Sequence, residues 1–269
     1  MRFKLFISDY DGTLGVAPKN DIDAETRSAI KEFTDKGGIF TVCSGRETQS
    51  ITRILREQNL QGIVVSFQGA CVSDIQSGRK IMSEGLGYDK AIEVLDAVEK
   101  YGLTPLCYGE NDFFYNEKTP YVQNYEKAIR LTGKVANVKK EIEKNKGKVF
   151  KICWLGEDEI VNRAANELNA IYKSDGVNFN SGAKCLLEAI NPKYGKGNAV
   201  RFLARHYNVG LDEIITVGDS TNDIELVGGP WHGVAVGDGR DELKAVAKEV
   251  TVPFSQKPVL TLLKKYCLD

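Results

Sequence analysis

Two aspartates stand two residues apart in Asp9-Tyr10-Asp11-Gly12-Thr13, where the apolar run 3–7 stops. Paired carboxylates at a strand end, followed by a glycine turn, suit a divalent cation and a phosphoryl group. So close together, they repel each other unless a cation sits between them or one holds a proton. Strand side chains alternate, so Tyr10 must point away from both. The plainer alternative is a solvated turn, since turns favour Asp and Gly anyway.

Three further segments supply what the pentapeptide lacks. The apolar run 39–43 ends in Ser44-Gly45-Arg46. A hydroxyl and backbone N–H groups at a strand end leading into a helix form an anion site; the bland reading of Ser44 is an N-cap for the helix expected over 47–58. Lys193-Tyr194-Gly195-Lys196-Gly197-Asn198 precedes a helical stripe of Ala199, Val200, Leu203, Ala204 and Tyr207. At that helix mouth Lys196 can neutralise a phosphate as a point charge, although most lysines are simply surface groups. Lys193 competes but lies before the loop. Finally, the run 214–217 leads into Gly218-Asp219-Ser220-Thr221-Asn222-Asp223. Asp219 falls at the strand end, and Asp223 one turn later on the same side. Capping explains one Asp there, but not three polar groups around a tight strand exit.

These four segments, in this order, resemble the motifs of haloacid dehalogenase superfamily phosphatases of the Cof type, which carry a type IIB cap. The resemblance covers nearly the whole chain. It implies a Mg2+-dependent hydrolase in which Asp9 is the nucleophile and Asp11 the general acid and base. Ser44 and Gly45 would bind phosphate, with Lys196 bridging nucleophile and phosphate and Asn222 contacting the transferring group. Asp9, Asp11, Asp219 and Asp223 are the candidate metal ligands, Asp223 acting directly or through water. The implied partner is a small phosphorylated metabolite, a sugar phosphate being the family's usual class. The rivals are a sugar phosphomutase and a non-catalytic phosphometabolite-binding protein. Some positions depart from the pattern. Ser44 replaces a common threonine, Gln68-Gly69-Ala70 stands for Asn-Gly-Ala, and Gly237-Asp238-Gly239 for Gly-Asn-Ala. Gly228-Gly229-Pro230-Trp231 reads as a small insertion near the site mouth.

The elements that must position these residues follow from periodicity. Strand 3–9, helix 23–36, strand 39–43, helix 47–58 and strand 63–67 alternate, which predicts a parallel α/β sheet with right-handed crossovers. Residues 70–82 read as a hairpin turning at Gln76-Ser77-Gly78. The alternation resumes from Gly195. Between them, 84–189 reads as an α+β insertion: a helix over 88–98, a hairpin across Gly109-Glu110-Asn111-Asp112, a strand over 149–155, a helix over 157–170, and strands at 177–179 and 184–190. The expected fold is therefore a Rossmann-like core, 1–83 and 190–269, interrupted by a cap over 84–189. The aromatic stretch 108–125 is a candidate sugar contact, or simply the cap's own core, and Ser181, Gly182 and Lys184 form a turn that could face the core.

Composition narrows the alternatives. The 269 residues hold 36 basic and 37 acidic side chains, a net charge of -1, so no basic face argues for nucleic acid. No segment approaches the ~20 apolar residues of a membrane span, and the start lacks a signal-peptide pattern; a soluble cytoplasmic protein is expected. The six cysteines, Cys43, Cys71, Cys107, Cys153, Cys185 and Cys267, form no CxxC or zinc knuckle. His206 and His232, the two histidines, have no partner at metal-ligand spacing, which argues against zinc or triad hydrolysis.

Overall fold

Apolar runs that stop at the acidic and glycine-rich motifs become buried strands. The computed structural model describes residues 2–15, 21–109, 112–129, 131–144 and 149–268; Glu110 and Asn111 of the expected hairpin turn lie outside them. In chain order the strands are β1 (Leu5–Ser8), β2 (Ile39–Cys43), β3 (Ile63–Ser66), β4 (Cys71–Asp74), β5 (Lys80–Ser83), β6 (Thr104–Tyr108), β7 (Phe113–Tyr115), β8 (Lys134–Val135), β9 (Lys151–Leu155), β10 (Asn178–Ala183), β11 (Leu186–Ile190), β12 (Ile214–Gly218), β13 (His232–Ala235) and β14 (Glu249–Val250). The chain forms two compact units, one of residues 1–82 and 195–269 and one of residues 83–194.

The first unit is an eight-stranded sheet in the order β14-β13-β12-β1-β2-β3-β4-β5. From β14 to β3 neighbouring strands are parallel, and β4 turns back antiparallel on β3. Both faces are covered, which is why β1, β2, β3 and β12 read as unbroken apolar runs. On one face Phe6, Val42, Val64 and Val217 join Phe33 and Ile51 of the helices Ala24–Asp35 and Thr48–Glu57. On the other, Leu5, Ile7 and Val65 pack on Val200 and Leu203 of the helix Lys196–Tyr207. Asp23 caps the first helix, accepting from the Thr26 N–H at 3.1 Å. The expected hairpin is present, closed by Ser77, whose N–H and hydroxyl both donate to Asp74 Oδ1.

The chain leaves β1 toward β2 and β3 on one side and adds β12, β13 and β14 on the other. Strand order therefore reverses between β1 and β12, and the crevice at their carboxyl ends is where such sheets bind ligands. Ser8 is level with Val42 on one side and Val217 on the other, so the three strands end within one residue of one another.

The second unit is a six-stranded sheet in the order β10-β11-β9-β6-β7-β8, antiparallel except for β7 with β8. Helices Tyr88–Glu99, Val138–Lys144 and Asp158–Tyr172 share a core with Cys107, Ile152, Trp154 and Leu187. Alternation sends Tyr108, Lys151 and Glu188 to the other face, where Lys151 Nζ donates to Glu188 at 2.5 Å. The aromatic stretch packs on itself: Tyr108 stacks on Phe113 at 5.1 Å, and the Tyr108 and Tyr125 hydroxyls are 2.6 Å apart. Ser181, Gly182 and Lys184 lie in the β10–β11 hairpin. No helix among the described residues is long and apolar enough to cross a membrane.

One expectation is corrected. Trp231 is not at the site mouth. It precedes β13, which runs parallel to β12, so it sits at the amino end of the sheet, opposite Asp9 and Asp219. There it is 1% exposed, packs in the Leu5–Val200 cluster, and donates its indole N–H to the Leu226 carbonyl at 2.6 Å. Trp231→Ala should therefore destabilise the protein by about 3–5 kcal/mol in chemical denaturation, chiefly through a shifted midpoint.

Candidate active site

Asp9 follows β1, Ser44 follows β2 and Asp219 follows β12, so three neighbouring parallel strands deliver a carboxylate, a hydroxyl and a second carboxylate to one sheet edge. Below Asp9 the turn is tight: the N–H groups of Leu14 and Gly15 donate to the Tyr10 carbonyl at 2.9 and 2.8 Å, while the Tyr10 ring is fully buried in the core. Gly12 has φ +81°, and a Cβ there would lie 2.6 Å from Asp219 Oδ2. Only glycine lets the first acidic loop approach the second so closely.

Lys196 opens its helix after Gly195, and its side chain is buried rather than at the surface. Its ammonium donates to Asp9 Oδ1 and to Asp223 Oδ1, each at 2.6 Å. Asp223 is fully buried, and its Oδ2 accepts from the Asp219 and Ser220 N–H groups at 3.2 and 3.1 Å. The bond to Ser220 closes a capping box, so Asp223 both shapes the strand exit and carries charge. Asp219 Oδ1 accepts from the Thr13 hydroxyl at 3.0 Å.

Carboxylate oxygens of Asp9, Asp219 and Asp223 all lie within 4.8 Å of one another. Three acids face one ammonium, an excess of negative charge that a divalent cation matches. Their oxygens are hard ligands of the kind Mg2+ takes. Both oxygens of Asp223 are engaged by protein donors, so Asp9 and Asp219 are the better placed to hold the ion, with Asp223 orienting them. Burial, and then the Asp223 carboxylate, push the Asp9 carboxyl well above its usual range, against the pull of Lys196. The same two causes push Asp219 up to about 6. Desolvation would lower the Lys196 ammonium, but Asp223 and Asp9 outweigh it and hold the proton on.

Asp11 is placed differently. Its side chain is half exposed, stands outside the three-acid group, and is gripped by Arg46 through a fork of two bonds, Nε to Oδ2 at 2.8 Å and a terminal nitrogen to Oδ1 at 2.6 Å. That partner is not visible in the spacing of the motifs, although Arg46 directly follows Ser44-Gly45 in the sequence. Thr13 is likewise a polar partner that the pentapeptide alone did not reveal. Ser44 is buried and is no helix cap: Glu47 holds the N-cap position, and Ser44 Oγ accepts from the Arg46 N–H at 3.1 Å. Gly45 adjoins it. Asn222 is exposed at the opposite rim and donates to Gln68 Oε1 at 3.3 Å. Asp238 is turned away, accepting from the Phe254 N–H, and Lys193 lies in the second unit.

Comparison with known proteins bears on the family and the fold. The sequence model of the haloacid dehalogenase-like hydrolase family matches residues 6–263. A Klebsiella pneumoniae protein named HMP-PP phosphatase is 24% identical over 242 residues, covering 90% of this chain and 87% of that one. A haloacid dehalogenase-like hydrolase from Bacteroides thetaiotaomicron superposes with a TM-score of 0.84 at 20% identity, covering 98% of this chain and 99% of the other. TM0651 from Thermotoga maritima gives 0.86 at 20%, covering 99% and 100%.

The raised carboxyls set a pH dependence. With divalent cations chelated, the folded state binds more protons than the unfolded one between the ordinary carboxylate range and about pH 6. Stability should fall as pH rises through that window. Thermal melts in chelator should show this decline, and Asp219→Asn should flatten it.

Proposed function

The chain belongs to the haloacid dehalogenase-like hydrolase family, in its Cof-type branch, and is a phosphatase; on that premise we propose that it hydrolyses small phosphate monoesters, sugar phosphates first among them, through an aspartyl-phosphate on Asp9. The observation that carries this reading is the buried Asp9–Lys196–Asp223 chain beside Asp219 at the point where strand order reverses. Lys196 occupies Asp9 Oδ1, which leaves Oδ2 without a protein partner among the described residues. That oxygen attacks phosphorus in line, and the ester oxygen departs. Mg2+ held by Asp9 and Asp219 would supply Lewis-acid neutralisation of the charge that gathers there. The Ser44 hydroxyl, the Gly45 N–H and the Asn222 amide would bind the equatorial oxygens.

Asp11 protonates the departing oxygen and then takes a proton from the water that cleaves the acyl phosphate, restoring Asp9. Arg46 orients the Asp11 carboxyl for these transfers through its two bonds. Residues 84–189 act as the cap that selects the leaving group.

Three measurements test this. Asp9→Asn and Asp11→Asn should each reduce phosphate release by orders of magnitude, and Asp9→Asn should form no acid-stable, base-labile phosphoenzyme. Chelation should abolish release from a generic ester, and Mg2+ should restore it. A phosphomutase would instead release little phosphate and need a bisphosphate activator.

A further inference from the structure

Phe67 and Gln68 are consecutive non-glycine residues in the left-handed region, at φ 50° and 58°, followed by Gly69 at φ 114°. L-residues with a Cβ avoid that region, and a bulky aromatic does so most. Glycine at position 68 would relieve the backbone at once. Gln68 is therefore held against the preference of the chain, and strain of this kind gathers at functional sites.

The loop is held by the candidate phosphate turn itself. The Phe67 N–H donates to the Arg46 carbonyl at 2.9 Å and the Gln68 N–H to the Ser44 carbonyl at 3.1 Å. The Gln68 side chain then lies across Gly45: a Cβ added to Gly45 would meet Gln68 Nε2 at 2.4 Å. Its far oxygen accepts from Asn222 Nδ2 at 3.3 Å. Because an amide has one acceptor end and one donor end, the bond from Asn222 fixes which way it faces. The donor end, Nε2, is left beside Gly45, and among the described residues no protein acceptor takes its hydrogens.

We propose that Gln68 is a further phosphoryl-binding residue, whose Nε2 donates to a phosphate oxygen held at the Ser44-Gly45 turn while Asn222 fixes its orientation. The assignment rests on the phosphatase site described above. It explains why a strained glutamine stands where glycine would be easier. It also turns Asn222 from an isolated contact into one end of a bridge between the loops after β2 and β12.

The test is inhibition by inorganic phosphate of the Mg2+-dependent hydrolysis of p-nitrophenyl phosphate, in the full chain and in Gln68→Ala, Gln68→Gly and Gln68→Glu. One hydrogen bond to a charged oxygen corresponds to roughly ten- to a hundredfold in affinity. The inhibition constant should rise by that factor in Gln68→Ala and Gln68→Gly alike. It should rise further in Gln68→Glu, where a carboxylate faces the anion. Gln68→Gly should melt no lower than Gln68→Ala, because it relieves the backbone. An unchanged inhibition constant in the Ala and Gly variants, with wild type active and inhibited, overturns the role of Gln68 and leaves the phosphatase reading standing. Wild type that neither hydrolyses the ester nor is inhibited by phosphate overturns both.

Discussion

A single ammonium holds the centre of the first unit together. Lys196, 2% exposed, stands between Asp9 and Asp223 with equal 2.6 Å bonds. A charge so buried is tolerable only when paired and hydrogen-bonded. Removing either acid would take one of the two acceptors from the buried ammonium, and removing the lysine would leave three carboxylates facing one another. The surrounding structure follows from this constraint. The helix must begin at Lys196, the loop after β12 must fold back so that Asp223 can reach it, and Gly12 must let the first loop close on Asp219. The geometry that makes the cluster costly without partners is the same geometry that would concentrate charge on a bound ion and phosphate.

The two aspartates of the first motif illustrate how two identical side chains acquire different surroundings within one turn. Asp9 is buried, desolvated and tied to a lysine; Asp11 is half exposed and forked to an arginine. Tyr10 between them points into the core, and the Arg46 guanidinium lies 5.3 Å from its ring centroid. The proposed division of labour between attack and proton transfer rests on that asymmetry.

Much of this is legible in the amino-acid sequence. Strands 39–43 and 63–66 could be read because parallel strands covered on both faces leave continuous apolar runs, and the motifs at their ends mark where those runs must stop. Asp9, Ser44 and Asp219 are legible as the ends of apolar runs, and Lys196 as the mouth of a helical stripe. What could not be read were partners set by tertiary approach. Arg46 gripping Asp11, Thr13 donating to Asp219, and the full engagement of Asp223 depend on loops that meet only when β1 lies between β2 and β12. Trp231 misled because a Gly-Gly-Pro-Trp stretch resembles a loop in any setting. Only strand direction reveals that it anchors the far end of the sheet. In the second unit the aromatic stretch 108–125 suits a ligand as well as packing, the reading the sequence favours, since stacked rings and a sugar platform share one composition.

The pairing of β1 has a consequence for biosynthesis. Leu5 pairs with Ile39 on one side and with Ile214 on the other. The first partner leaves the ribosome soon after β1, but the second follows only after the whole 83–194 unit. At roughly 5–20 residues per second, one edge of the central strand waits about ten to forty seconds for its neighbour. During that interval the nascent chain carries an open, apolar strand edge of the kind that invites pairing with other chains. Nascent chains halted before residue 214 should thus be the species that most need a chaperone.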